Sequence, residues 1–335
     1  MFNRKMTIYI LVAVMIALFC GCGRENNDSG NVLDIMNPSD MIYESEPLAV
    51  EGMEGNPKTY RYRNGRLYFV TDSTREKSPD HVIQKLYSVN IDGSDLQEYP
   101  LNLGDDEYIA AFDVDDADHF IYVIHRTDGY TEYGAPNIIE YGYRIVKSDT
   151  RGTELGWVAG DPFLKEDGVY DVLLTADGYI VGGGNSYLYY LDSDLNYIDK
   201  MKPAGLDELL PGIIYMKDGA YLCRGYGKNS VDIEFSTIRF DEKESEKRRD
   251  IQINGYMITA LQGFGDYDFC YMDMNKLYGY SIAEKTRTGI MDFMNSGTSW
   301  EVAMGFITLE DGRFLGTVKD KETGEVSFEL FTKQE

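Results

Sequence analysis

The feature that most constrains this chain is a recurring unit of turns and short strands. A tight turn built on Gly or Asp appears at Asn64-Gly65, at 116–118, at Asp177-Gly178, at Asp218-Gly219, at 266–268 and at Asp311-Gly312. Anchored at 65, 118, 178, 219, 267 and 312, these turns are separated by between 41 residues (178 to 219) and 60 (118 to 178). An apolar strand follows each turn, at 67–71, 120–125, 179–182, 221–224, 269–272 and 314–318. A third strand then ends in a polar turn, at 86–90, 143–148, 187–192, 236–241, 276–281 and 327–332. A fourth follows in the first five units, as at 96–99 and 198–200. Four strands in a unit of about 40–60 residues, repeated, is the plan of propeller blades. The expectation is an all-β, six-bladed β-propeller with four-stranded blades. A β-sandwich does not account for six similar units at this period.

Tyrosine supports that class. The chain holds 27 of them, and an aromatic ring suits a half-buried pleated surface. Past the first 20 residues no long stretch shows the 3.6-residue apolar period of a helix, and only 205–210 suggests a helical turn. The sixth unit lacks a fourth strand. Residues 41–50 are otherwise unassigned, and Ile42, Leu48 and Val50 share one strand parity. Placed beside 326–332, this segment closes the ring and covers an exposed edge. Pro47 falls on the other parity and is tolerated on an outermost strand.

The N-terminus says where the ring works. Arg4 and Lys5 precede an apolar run at 6–19, too short for the roughly 20 residues of a membrane span, and Gly21 stands before Cys22. This is the plan of a cleaved signal. The stretch Leu18-Phe19-Cys20-Gly21-Cys22 resembles the bacterial lipobox, which implies lipidation of Cys22. Residues 23–31 are polar and rich in Gly, Asn and Ser, a composition that cannot bury itself. The expected organisation is a signal peptide at 1–21, a flexible tether at 22–40 and a propeller at 41–335. The mature protein is expected on the extracytoplasmic face of the membrane, held by lipid.

Charge excludes one class of partner. The chain has 57 acidic and 32 basic residues. Because 1–21 carries only Arg4 and Lys5, the chain from Cys22 has 57 acidic against 30 basic. Nucleic acid, held through phosphate neutralisation, is not a fitting partner. Cys223 and Cys270 lie in apolar strands of neighbouring units and read as buried free thiols rather than a disulfide.

Several segments also resemble a known group. They are the lipobox and tether, the strand near Tyr43, Lys85-Leu86-Tyr87 with Val89-Asn90-Ile91-Asp92-Gly93, Lys276-Leu277-Tyr278-Gly279-Tyr280, and Leu309-Glu310-Asp311-Gly312-Arg313-Phe314-Leu315. Together they resemble the N-terminal propeller-like region of Gram-positive solute-binding lipoproteins of ABC transporters. The resemblance implies an extracytoplasmic propeller beside nutrient (sugar or peptide) uptake. In that group a two-lobed binding domain follows the position of Lys333. Here it does not, so the resemblance carries over no solute site, and a truncated solute-binding lipoprotein is an alternative.

Motifs for catalysis are thin. His81, His119 and His125 show no metal-ligand spacing, and no nucleophile elbow or phosphate-cradling loop is present. Gly182-Gly183-Gly184-Asn185 joins two strands and reads as a turn. The acidic clusters at 113–118 and 192–196 alternate oxygen ligands as calcium loops do, but lack the glycine and bidentate glutamate of such loops. Turn chemistry accounts for them. The stretches at 320–324 and 286–289 resemble quinoprotein propeller repeats, with Phe328 and Phe293 where tryptophan belongs. No cofactor, metal or catalytic residue is expected. The mixed-charge segment 241–250 reads as a solvated hairpin tip. Long connections at 72–83, 126–142, 158–168 and 200–212 share one face of the disc, where binding usually lives. Tyr130, Tyr133, Tyr141, Phe163 and Trp300 are the candidate contacts there for a protein, glycan or peptide. The preferred function is a non-enzymatic binding propeller. A propeller enzyme acting on an extracellular polysaccharide is the other alternative.

Overall fold

Alternation of aromatic and β-branched residues, cut by turn residues, yields strands alone among the described residues. The computed structural model describes 33–36, 43–74, 82–130, 136–159 and 169–333, apart from breaks at 116, 184–185, 217, 229–231, 252, 254–257, 265–266, 274–275, 293–299, 310 and 321–324. Two strands, β1 (Leu33–Met36) and β2 (Tyr43–Pro47), come first. Blade one is β3 (Asn56–Arg63), β4 (Arg66–Thr74), β5 (Val82–Asn90) and β6 (Gln97–Tyr99). Blade two is β7 (Glu107–Val114), β8 (Phe120–Tyr130), β9 (Pro136–Ser148) and β10 (Glu154–Val158). Blade three is β11 (Val169–Leu174), β12 (Gly178–Gly183), β13 (Leu188–Asp192) and β14 (Tyr197–Met201). Blade four is β15 (Glu208–Tyr215), β16 (Tyr221–Tyr226), β17 (Ile233–Arg239) and β18 (Glu244–Lys247). Blade five is β19 (Ile258–Phe264), β20 (Tyr267–Asp273), β21 (Lys276–Ser281) and β22 (Thr286–Asp292). Blade six is β23 (Trp300–Thr308), β24 (Phe314–Asp320) and β25 (Val326–Lys333), completed by β2.

The first strands β3, β7, β11, β15, β19 and β23 adjoin one another in turn, and β23 returns to β3. The protein is therefore a closed six-bladed β-propeller. Closure is by the N-terminal strand, as the sequence predicts: β2 runs antiparallel to β25, from Tyr43 opposite Lys333 to Pro47 opposite Glu329. The Leu48 amide then donates to the Phe328 carbonyl at 2.9 Å.

The core lies between blades, so the middle strands are buried on both faces, β12 without a break. Phe120, Tyr122 and Ile124 pack against Tyr68 and Val70 between blades one and two. Ile121 and Val123 meet Val172 and Tyr189 between two and three. Phe69 and Tyr87 meet Phe328 and Leu330 where blade six returns to blade one. Cys223 and Cys270 are free and buried in blades four and five. Burial pushes both thiols well up, so neither forms the reactive thiolate readily.

One turn geometry recurs, and it serves three of the six repeat anchors, at 118, 219 and 312. At 90–94, 115–119, 149–153, 183–187, 192–196, 216–220 and 309–313 the first amide donates to the fifth carbonyl, and the fourth amide to the first carbonyl. The fourth residue is left-handed, at Gly93 (φ 83°), Gly152 (76°), Gly219 (83°) and Gly312 (84°), and also at Asp118 (58°), Ser186 (66°) and Leu195 (65°). The acidic clusters serve these turns. Asp115 Oδ1 accepts the amides of Ala117 (3.0 Å) and His119 (2.8 Å). Asp192 Oδ1 accepts those of Asp194 (2.9 Å) and Asn196 (2.8 Å).

Four expectations change. Glu208 to Leu210 belong to β15 and do not form a helical turn, because Leu209 pairs with Gly225 and fills the seam to blade three. The connection at 126–142 is mostly hairpin: β8 and β9 extend until Tyr130 faces Pro136. The mixed-charge stretch at 241–250 supplies β18, paired from Ser236–Lys247 to Arg239–Glu244. Within the stretch read as tether, β1 lies parallel to β22, Leu33 opposite Thr286, as a fifth strand on blade five.

Candidate functional site: the central channel

The inner strands enclose a cavity of about 590 Å³ lined from blades one, two, three, four and six. That volume is within the roughly 300–1,000 Å³ of small-ligand sites. Its ionisable lining comes from charged residues set inside apolar strands. On β3, Thr59, Arg61 and Arg63 share one parity and project toward blades two and three.

Two carboxylates on the facing blades organise the site. Asp113, next to last in β7, is fully buried. Its Oδ1 accepts the Val114 amide at 2.9 Å, and its Oδ2 accepts the Leu174 amide of blade three at 2.8 Å. Asp171 on β11 does the same one blade further on. Its Oδ1 accepts Val172 N at 2.9 Å, and its Oδ2 accepts Gly212 N at 3.0 Å and Ile213 N at 3.3 Å. Those last two amides are free because β15 slips register between Leu210 and Ile214. Arg224 holds the same irregularity, donating from Nε and Nη2 to the Pro211 carbonyl at 3.1 and 2.9 Å. Burial lowers the Arg224 pKa to about 10, against the favourable charge of Asp171. It remains a cation at neutral pH.

The two β3 arginines lie across these carboxylates. Arg63 Nη2 is 3.3 Å from Asp113 Oδ2. Arg61 is 3.9 Å from Asp113 Oδ1 through Nε and 3.6 Å from Asp171 Oδ1 through Nη2. It also donates to the carbonyls of Tyr60 (3.1 Å) and Val172 (3.5 Å). Arg63 Nε is buried with no hydrogen-bond partner.

Further side chains tie neighbouring blades. The Gln84 carboxamide of blade one accepts Ile109 N at 2.5 Å and donates to Ile109 O at 3.2 Å in blade two. His125 of blade two pairs with the Tyr108 hydroxyl at 3.2 Å and with the Val169 carbonyl of blade three. Burial lowers its pKa, and both ring nitrogens are committed to the fold. His119 pairs with Asp115 at 3.0 Å in its own turn. His81 lies outside the described residues.

Three of the expected contact residues lie on described strands. Tyr130 ends β8, Tyr141 lies within β9, and Trp300 begins β23 opposite Asp320. Cys22, Tyr133 and Phe163 lie outside the described residues. Sequence reasoning missed Arg61, Arg63, Asp171 and Arg224, and assigned Asp113 to a turn. Asp113 is a buried inter-blade acceptor instead, two residues before the turn begins. The available signal was a charge inside an apolar strand, as in Val169-Tyr170-Asp171-Val172 and Leu222-Cys223-Arg224-Gly225.

Ring and channel define the class, a six-bladed β-propeller with a lined central cavity. No family model and no curated protein matches the chain. Solved structures do. The WD40 domain of Neurospora crassa Pan2 is similar at a TM-score of 0.50 and 7% identity, over 90% of this chain and 98% of that one. A catalytically inactive virginiamycin B lyase from Staphylococcus aureus, solved with quinupristin, aligns at 0.49 and 13%, over 87% and 99%. Saccharomyces cerevisiae Sqt1 aligns at 0.46 and 10%, over 81% and 69%. At these identities the likeness is one of fold.

Proposed function

We propose that this protein is an extracytoplasmic lipoprotein, held to the membrane through Cys22, whose propeller binds a ligand without transforming it. The carrying observation is the state of the channel carboxylates. Asp113 and Asp171 each spend both oxygens on backbone amides of the ring, an arrangement for holding a site rigid. General acid–base catalysis asks for a carboxyl group able to reach a substrate proton. The lipobox at 18–22 and the polar stretch after it support anchoring, and two acyl chains suffice for a stable anchor. The resemblance to solute-binding lipoproteins supports a place beside sugar or peptide uptake. Tyr130, Tyr133, Tyr141, Phe163 and Trp300 remain candidates for contact with a protein, glycan or peptide on the loop face.

Two measurements test the reading. Cys22→Ala should move the protein out of the membrane fraction or leave an uncleaved precursor. Incubation of the purified protein with glycan and peptide libraries should give binding with no new product by mass spectrometry. Turnover of any glycan would replace the binding reading with the enzymatic one.

A further inference from the structure

The binding reading leaves the ligand's chemistry open, and the donors of the channel narrow it. A guanidinium carries five N–H donors. The carboxylates beside Arg61 and Arg63 already accept backbone amides at 2.8–3.3 Å, while their separations from the guanidinium nitrogens are 3.3–3.9 Å. The arginines are thus charge-balanced but not saturated as donors. Arg63 Nε is buried without a partner, an unfavourable state for a polar N–H. Both side chains reach Asp113, so one small acceptor group can meet both.

Charge fixes the kind of acceptor. Arg61, Arg63 and Arg224 against Asp113 and Asp171 leave these five lining and adjoining side chains at one positive charge. One negative charge on a ligand completes the balance. A phosphate dianion would exceed it, beside two carboxylates and inside a chain of net charge −25. A carboxylate also matches the guanidinium fork, which binds its two oxygens in parallel. The cavity, at about 590 Å³, accepts a sugar acid or a short peptide. We infer that the channel is a binding site for a small monocarboxylate, gripped by Arg61 and Arg63 and oriented by the rigid Asp113–Asp171 frame.

The test is calorimetric titration of the purified protein with galacturonate, galactose, galactose 1-phosphate, trialanine and trialanine amide. Binding of galacturonate or trialanine at least tenfold tighter than galactose or trialanine amide is expected. Which of the two acids binds tells a sugar acid from a peptide terminus. Arg61→Gln should weaken that binding at least tenfold, and Arg61→Lys, which keeps the charge but not the fork, by less. Should these variants misfold, the unaltered protein still answers. The ligand should protect Arg61 and Arg63 from phenylglyoxal, mapped by mass spectrometry. The inference is overturned if neither acid binds, if neutral analogues or the phosphate bind as well, or if the arginines are modified equally with and without ligand. A ligand that binds with the arginines unprotected would leave the binding propeller standing and move its site to the loop face.

Discussion

Two carboxylates buried in the same ring live in opposite conditions. Asp113, at the inner edge of blades two and three, is fully buried, accepts two amides and lies 3.3 Å from Arg63. Glu329, on β25 of the closing blade, is 3% exposed, and its Oε2 finds no hydrogen-bond partner. Its charged neighbour is Glu46 of the closing strand, and burial with that like charge pushes its pKa up to about 7. The difference shows two ways of holding blades together. Blades one to four are laced by polar side chains that cross the seams, from Gln84, Asp113, His125 and Asp171. The closing blade depends mainly on strand pairing along β2 and on the apolar contacts of Phe69, Tyr87, Phe328 and Leu330, with the exposed Asn56 Oδ1 of blade one accepting the Val326 amide at 3.3 Å.

The largest effect should come from breaking closure itself. Deleting residues 43–50 removes the five pairs of β2 and the buried Leu48, leaving the whole of β25 as an unpaired edge. The loss should reach about 5 kcal/mol or more, the scale on which a domain unfolds. Deleting 33–36 removes the short parallel pairing with β22 and should cost under about 1 kcal/mol. Urea unfolding followed by circular dichroism separates the two. Equal midpoints would mean that β2 does not close the ring.

Next comes the laced seam. Asp113→Ala strands the amides of Val114 and Leu174 and leaves Arg63 without its carboxylate. Removing one partner of a buried, hydrogen-bonded charge costs about 3–5 kcal/mol. Asp113→Asn keeps an acceptor for one amide and should lose less. If the alanine variant melts within about 0.5 kcal/mol of the parent, the lacing is ornament and the apolar seams hold the blades unaided.

These contrasts bear on what a reader of the sequence can see. The ring was legible because its signals are local. A left-handed fourth residue needs Gly, Asp or a similar residue, and the same turn recurs at 115–119, 216–220 and 309–313. Closure was legible because Ile42, Leu48 and Val50 share a parity and an edge needs covering. The channel was not. Arg61 and Asp171 are 110 positions apart and meet only after two blades turn between them, so nothing in either neighbourhood names the other. The length of the β8–β9 hairpin was hidden for a different reason. Residues 126–142 are polar, and propensity alone does not carry pairing out to Tyr130 and Pro136.

A pH series sharpens the comparison of the two carboxylates. In the unfolded chain Glu329 releases its proton near the ordinary 4.5, whereas the ring keeps it until about pH 7. Between those values the folded state binds more protons, so stability falls as pH rises. The contribution is whole below pH 4.5 and gone above pH 7. Its size should be on the order of 2 kcal/mol, somewhat below the full conversion of the shift because neighbouring groups relax. Glu329→Gln should melt like the parent at pH 4, be more stable at pH 8, and flatten that part of the profile. A parallel fall in parent and variant would place the titrating group elsewhere.

The smallest expected effect compares one turn in three blades. At its left-handed position blades one and two place Gly93 and Gly152, whereas blade three places Leu195 at φ 65°. Leu195 is 3% exposed and packs with Ile121, Val123 and Tyr189. Its burial offsets a backbone conformation that costs a residue with a Cβ about 1–2 kcal/mol. Truncation to alanine should therefore lose about 2–5 kcal/mol of packing while keeping the strain. Truncation to glycine loses the same packing and relieves the strain. Leu195→Gly should accordingly be more stable than Leu195→Ala by about 1 kcal/mol, the reverse of the order found in a strand or helix. Chemical denaturation of the two variants decides it. An alanine variant that proves the more stable would mean that the 192–196 turn relaxes out of the left-handed region once the leucine is gone.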